Sequence, residues 1–241
     1  MPSKTISGVT VTAVPEEQAT LELVAAACAG SLACIQEAWG LPAPADCRIY
    51  VMTSWREFGF ESAPGLWRIL VAVTQPLWAR RIQATWEYAG GWTQRYGRRV
   101  VIGVKPPRLI LQSDRSIGAR VFVEEEDMAV KVRHIICHEL THACAAHLQL
   151  PLWLNEGLAM VVVDRFLQKR TVREDSRDLV RDFEPKGKPI DYRATARVDG
   201  KTLAYHTARG YWLVEHLEKQ RPGFLRRLLA ERRKPQALAH D

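Results

Sequence analysis

The chain has few of the features that would assign it quickly. Its five cysteines (Cys28, Cys34, Cys47, Cys137, Cys144) are odd in number and include no C-x-x-C pair, so neither a disulfide framework nor a thiolate zinc cluster is indicated. Buried thiols in a reducing cytoplasm are expected instead. No stretch approaches the ~18 uninterrupted apolar residues of a membrane span. The most apolar early segment, Leu23 to Ile35, follows Glu16, Glu17 and Glu22 rather than a basic region, which argues for a buried helix and against a signal peptide. No membrane association is therefore expected. Internal repeats, low-complexity tracts and the aromatic-basic fingerprint of known nucleic-acid modules are all missing. Acidic excess is missing too: the net charge is +7 over 241 residues. Part of that surplus sits in Arg226-Arg227 and Arg232-Arg233-Lys234, a basic C-terminal segment that leaves nucleic acid as a secondary partner class. The length suits one domain of two closely packed lobes, and the composition is that of an ordinary globular protein.

Two short motifs carry the chemistry. His138-Glu139-Leu140-Thr141-His142 is an H-E-x-x-H pattern, and Trp153-Leu154-Asn155-Glu156-Gly157 follows it. On a helix, residues four apart share a face, so His138 and His142 can grip one ion while Glu139 stays beside them as a base. A catalytic site needs a third protein ligand and an open position, and Glu156 is the natural supplier. The five-residue pattern alone arises in roughly one or two of a hundred chains of this composition, so context must decide. Glu124 to Asp127 provide an acidic helix start with Asp127 as N-cap. No Gly or Pro interrupts Met128 to His147, and Pro151 ends the helix. Ile135-Ile136-Cys137 lead straight into the polar residues, as though into a core, and buried polar groups need partners. A second helix is expected from Pro151 through Ala159.

H-E-x-x-H followed by W-L-N-E-G-L-A resembles the gluzincin zinc metallopeptidases, which include thermolysin and the aminopeptidase N group. It is most similar to small bacterial peptidase MA-like domains. That resemblance implies one zinc per chain held by His138, His142 and Glu156, with Glu139 as general base. It further implies a peptide or protein substrate, cleaved internally, held extended against a sheet-edge strand. Phe122-Val123-Glu124 and Leu109-Ile110-Leu111 are the two candidates for that strand. Thirteen residues separate His142 from Glu156, fewer than in thermolysin, as in the compact MA-like domains. The segment Leu203 to Leu217 is similar to the helix that supplies the oxyanion-stabilising tyrosine there; Tyr205 stands at the matching position, with Tyr211 and His206 as runners-up. Two departures stand out. Where thermolysin-type enzymes carry an aspartate one turn beyond the glutamate ligand, this chain has Met160, with Asp164 as a weak substitute. The G-x-M-E-N strand of aminopeptidases is absent.

Of the other histidines, His134 continues the helical spacing but cannot share a tetrahedral ion with both motif histidines, because each turn rises ~5.4 Å; a rim position is expected. His147 suits a helix end, and His216 and His240 carry no signal. The expected order is a helix over 16–39, a strand over 47–53, and a short helix containing Trp55 and Phe58. A Trp-rich stretch over 61–97 follows (Trp67, Trp78, Trp86, Trp92), its tryptophans read first as core. Strands near 98–104, 108–112 and 119–124 come next, then helices. The 169–202 segment reads as an irregular excursion beside the cleft. The fold class is therefore α+β, with a mixed-sheet lobe over 1–127 and a helical lobe over 128–241; the resemblance implies that it is zincin-like. Two rival functions remain: a metal-stabilised, non-catalytic partner-binding domain, and a DNA-associated protease, although repair proteins with H-E-x-x-H usually take a third histidine.

Overall fold

The computed structural model describes residues 1–63, 65–113, 118–182 and 200–232. The architecture is mixed α+β. A five-stranded mixed sheet runs in the order β1-β2-β3-β5-β4, with β1 (Ser3–Ile6), β2 (Val9–Thr12), β3 (Asp46–Val51), β4 (Gly91–Tyr96) and β5 (Arg99–Val104). The central ladders β2–β3 and β3–β5 are parallel, and the outer strands β1 and β4 are antiparallel to their neighbours. β1 and β2, not expected from the sequence, form a hairpin across Ser7-Gly8. Both turn residues have positive φ (51° and 82°), the conformation that tight hairpin turns demand.

Alternation along the strands splits the core. Val9, Val11, Cys47, Ile49, Val51, Val100, Ile102 and Val104 join the main core, which includes α1 (Gln18–Trp39) and α6 (Met128–Ala145). On the other face, Tyr50, Met52, Tyr96 and Val101 meet a hairpin of α2 (Trp55–Ser62) and α3 (Leu66–Tyr88) through Ala63, Val71 and Trp86. By length and composition alone, α1 with the short turn before it is long and apolar enough to cross a membrane. Half of that apolar window, however, is buried in this fold.

Two expected strands are not strands. Residues 108–112 fall in helix α4 (Pro107–Ser113). Pro107 is preorganised for a first helical turn, and the Pro106 carbonyl accepts from the Leu109 and Ile110 N–H groups, so the proline pair overrides the β propensity of Leu-Ile-Leu. Residues 119–124 begin as the short helix α5 (Gly118–Val121); Phe122 then makes a single antiparallel bridge to Val172. That extended piece pairs outside the sheet. Neither segment is the sheet edge.

The remaining helices are α7 (Leu152–Leu167), α8 (Ser176–Asp182), α9 (Gly200–Gln220) and α10 (Phe224–Arg232). α7 packs between α6 and α9. Part of the 169–202 excursion, residues 183–199, lies outside the described residues, as do Arg233, Lys234 and His240.

Candidate metal centre and base

Helix α6 starts as its sequence suggests. Asp127 caps it, its carboxylate accepting from Ala129 N at 2.8 Å and Val130 N at 3.4 Å. From there, helical spacing carries His138 and His142 to one face, their ring centroids 4.5 Å apart and their planes nearly perpendicular. α7, after the turn at Leu150-Pro151, brings Glu156 against them. The three Nε2 and carboxylate distances are 2.9 Å between the histidines, 3.5 Å from His138 to Glu156 and 3.4 Å from His142 to Glu156. Bond lengths of ~2.0–2.1 Å to a tetrahedral zinc require ligand–ligand edges of about 3.3 Å. The triangle therefore has the size of one face of such a tetrahedron, leaving a fourth corner.

Electrostatics point the same way. Two ring nitrogens and a carboxylate oxygen face one another, within 4.8 Å, in a site where Glu156 and His142 are almost wholly buried. Polar atoms gathered in so dry a site need partners, and this donor set fits a metal ion. The group could hold an ion, and the donors fit zinc. Burial pushes the His142 pKa down to about 4, which keeps the ring neutral, as ligation requires. Glu156 stays below its ordinary range: burial would raise it, but His142 and His138 outweigh that. For His138 burial is again the largest effect, yet the Glu156 hydrogen bond and charge win and its pKa is raised.

Glu139 is buried alongside, outside the triangle. Burial lifts its pKa to about 7, against the charge of His138 and a hydrogen bond from Thr93. The Thr93 hydroxyl lies 2.6 Å from Glu139 Oε2 and 3.1 Å from the Glu139 backbone carbonyl. Thr93 belongs to β4, so the outermost strand beside α6 is β4, in place of the two segments proposed from sequence. Gly91 permits this approach: a Cβ there would lie 2.7 Å from Glu139 Cγ and 2.8 Å from an Ile135 methyl. Neither Gly91 nor Thr93 was singled out for the site from sequence, although the Gly-Gly pair before a strand marks a close backbone approach.

The third element is α9. It meets α7 backbone to backbone, since a Cβ on Gly157 would sit 2.3 Å from the Gly210 carbonyl oxygen and one on Gly210 would sit 2.1 Å from the Trp153 carbonyl oxygen. This glycine crossing places His206, one turn before Gly210, near Glu156, one residue before Gly157. The Glu156 charge acts on the His206 ring, whose pKa is nonetheless lowered, first by burial and then by Arg209. His206 is buried, and its Nε2 has no hydrogen-bond partner among the described residues. Tyr205 packs its ring edge-on to His206 at 5.2 Å. Tyr211 is committed elsewhere, donating to Asp164 at 2.7 Å.

Asn155, buried next to Glu156 on α7, raises the His142 pKa against the larger effect of burial. His138 Nδ1 is buried with no hydrogen-bond partner among the described residues, and Met160 is buried one turn beyond Glu156. Asp164 does not substitute: it accepts from Thr171 N at 2.8 Å, Thr171 Oγ1 at 2.7 Å and Tyr211. His134 stacks on His138 at 6.4 Å and meets Phe122 edge-on at 5.3 Å, outside the donor triangle. A cavity of about 300 Å³ farther along α7 is lined by Asp164, Arg165, Arg170, Tyr211, Glu215 and Glu218. Its charges are spent on one another through the Arg165–Glu218 and Arg170–Glu215 pairs. The chain matches no protein-family model, no curated protein and no solved structure.

Proposed function

We propose that the protein is a zinc-dependent peptide-bond hydrolase of gluzincin type, acting on peptide or protein substrates as an endopeptidase. The observation that carries this reading is a three-donor triangle of tetrahedral size with a buried carboxylate beside it that belongs to no part of the triangle. A purely structural site has no use for such a base, which counts against the non-catalytic scaffold. His138, His142 and Glu156 would hold the ion, which when bound supplies a Lewis acid for the scissile carbonyl and for the attacking water. Glu139 takes the proton from the attacking water and passes it to the departing amine. Thr93 fixes which way the Glu139 carboxylate points. β4, outermost in the sheet, offers its backbone to an extended peptide by strand addition, which suits internal cleavage because neither peptide end is needed for binding.

As the carbonyl oxygen gains charge, a donor aimed at it stabilises the transition state. Tyr205 is the donor implied by resemblance; His206, buried with no partner at Nε2 among the described residues and acted on by the Glu156 charge, is the group we favour, with the Tyr205 ring edge-on to it. His206→Ala is therefore expected to lower kcat by roughly 10²–10³-fold with zinc retained, and Tyr205→Phe to cost much less. Steady-state assays of zinc-loaded variants on a quenched fluorescent peptide decide between them, and the reverse ranking returns the role to Tyr205. The function itself is tested by incubating the zinc-loaded protein with a quenched peptide library. Cleavage abolished by chelation and restored by zinc supports the hydrolase, whereas no cleavage of any peptide or unfolded protein favours the metal-stabilised scaffold.

A further inference from the structure

Helix α3 carries a second feature that the hydrolase reading does not use. Leu66 (83 % exposed), Ile69 (63 %), Leu70 (50 %), Val73 (73 %) and Leu77 (82 %) all stand in solvent. Their spacing puts them within about 100° of one another around the helix, so they form one continuous apolar stripe. Trp67, half exposed, lies at its margin with its ring against Tyr96 at 5.9 Å. The opposite side of α3 is spent on the sheet through Val71 and Trp86. Five large aliphatic side chains in line on a surface helix exceed the scattered apolar residues that a soluble surface ordinarily shows.

The charge around the stripe identifies its occupant. From Ser62 to Trp86 the sequence holds Arg68, Arg80 and Arg81 and no acidic residue. Arg80 is exposed near the C-terminal end of the stripe. At the Trp67 end, the contact with Tyr96 brings the β4–β5 turn alongside, and that turn adds the exposed Arg98. Over residues 55–99 there are seven arginines against three glutamates. A second copy of the chain would pair this face with itself and set arginine against arginine, which disfavours a dimer. The 12-residue apolar stretch Leu66–Leu77 is about 18 Å long, too short to cross a hydrocarbon core of ~30 Å. Apolar stripe, flanking arginines and a marginal tryptophan are the composition of a helix that lies in the plane of an anionic bilayer.

We propose that the α3 face docks the protein peripherally on anionic lipid membranes, with the stripe in the headgroup–acyl boundary and the arginines on lipid phosphates. This departs from the expectation drawn from run lengths, which concerns spanning segments and not a helix lying flat.

Co-sedimentation of the full chain with unilamellar vesicles tests it. Wild type binds phosphatidylcholine vesicles containing phosphatidylglycerol, binds pure phosphatidylcholine far more weakly, and is released by salt. Ile69→Glu/Val73→Glu, which alters exposed side chains only, keeps the wild-type Tm and lowers the partition coefficient at least about tenfold. Arg80→Gln lowers it about fivefold on the anionic vesicles alone. No binding to anionic vesicles at low salt, or equal binding by the double variant, overturns the proposal. A dimer in analytical ultracentrifugation that the double variant dissolves also overturns it, and assigns the face to a second copy.

Discussion

Glu139→Gln is expected to abolish detectable peptide hydrolysis, lowering kcat/KM by roughly 10²–10⁴-fold, while zinc content stays at the wild-type level. The amide preserves the shape and a hydrogen bond with Thr93, but it cannot accept the proton of the attacking water. Two further readouts separate this outcome from simple damage. Because burial holds the Glu139 pKa at about 7, well above an unfolded glutamate, the folded metal-free protein resists losing that proton. The associated stability is present at acidic pH and is lost as pH rises through 7. The metal-free variant should thus be more stable than metal-free wild type above pH 7 and no more stable near pH 4. Wild-type kcat/KM should also rise with pH along an acid limb that the variant lacks, a bound cation moving that limb below 7. Retained turnover in Glu139→Gln removes Glu139 from the role of base.

The second large effect is structural and concerns the crossing of α7 and α9. In Gly210→Ala the new methyl lands 2.1 Å from one backbone carbonyl oxygen and 3.0 Å from the Gly157 nitrogen. Neither atom belongs to a flexible side chain, so the helices must part. A cost of about 3 kcal/mol, or a fall in Tm of roughly 6–12 °C, is expected. The zinc donors sit on α6 and α7, so metal content should survive while turnover falls, because His206 moves with α9. Gly30→Ala is the control. Its added carbon meets only the ring of Phe166, at 3.1 Å, and a helix-interior alanine gains up to ~1 kcal/mol of propensity, so its Tm should stay near that of wild type. Equal Tm values for the two variants would mean that α7 and α9 do not touch through their glycines.

These contacts show where sequence reading succeeds and where it stops. His138, His142 and Glu156 were legible because helical periodicity converts spacing into a shared face, and because polar residues inside an apolar helix require a partner. The Asp127 cap and the span of α1 were legible for similarly local reasons. Nothing local distinguishes Thr93 as the hydroxyl on Glu139, since 46 residues separate them and only the sheet order brings β4 beside α6. Leu109-Ile110-Leu111 misled because an apolar run of that length fits helix and strand equally, and the Pro106-Pro107 start decides. The role of Gly210 was hidden because its partner, Gly157, lies on another helix. The engagement of Asp164 was hidden because its partners, Thr171 and Tyr211, approach from a loop and from α9.

The most direct test of the account is the zinc stoichiometry of the full chain, measured by plasma mass spectrometry after zinc loading and exhaustive dialysis, for wild type and for Glu156→Ala. One equivalent in wild type, lost almost completely in a variant that circular dichroism shows to be folded, is the predicted result. Wild type without bound zinc, or a folded Glu156→Ala that still holds a full equivalent, would contradict it.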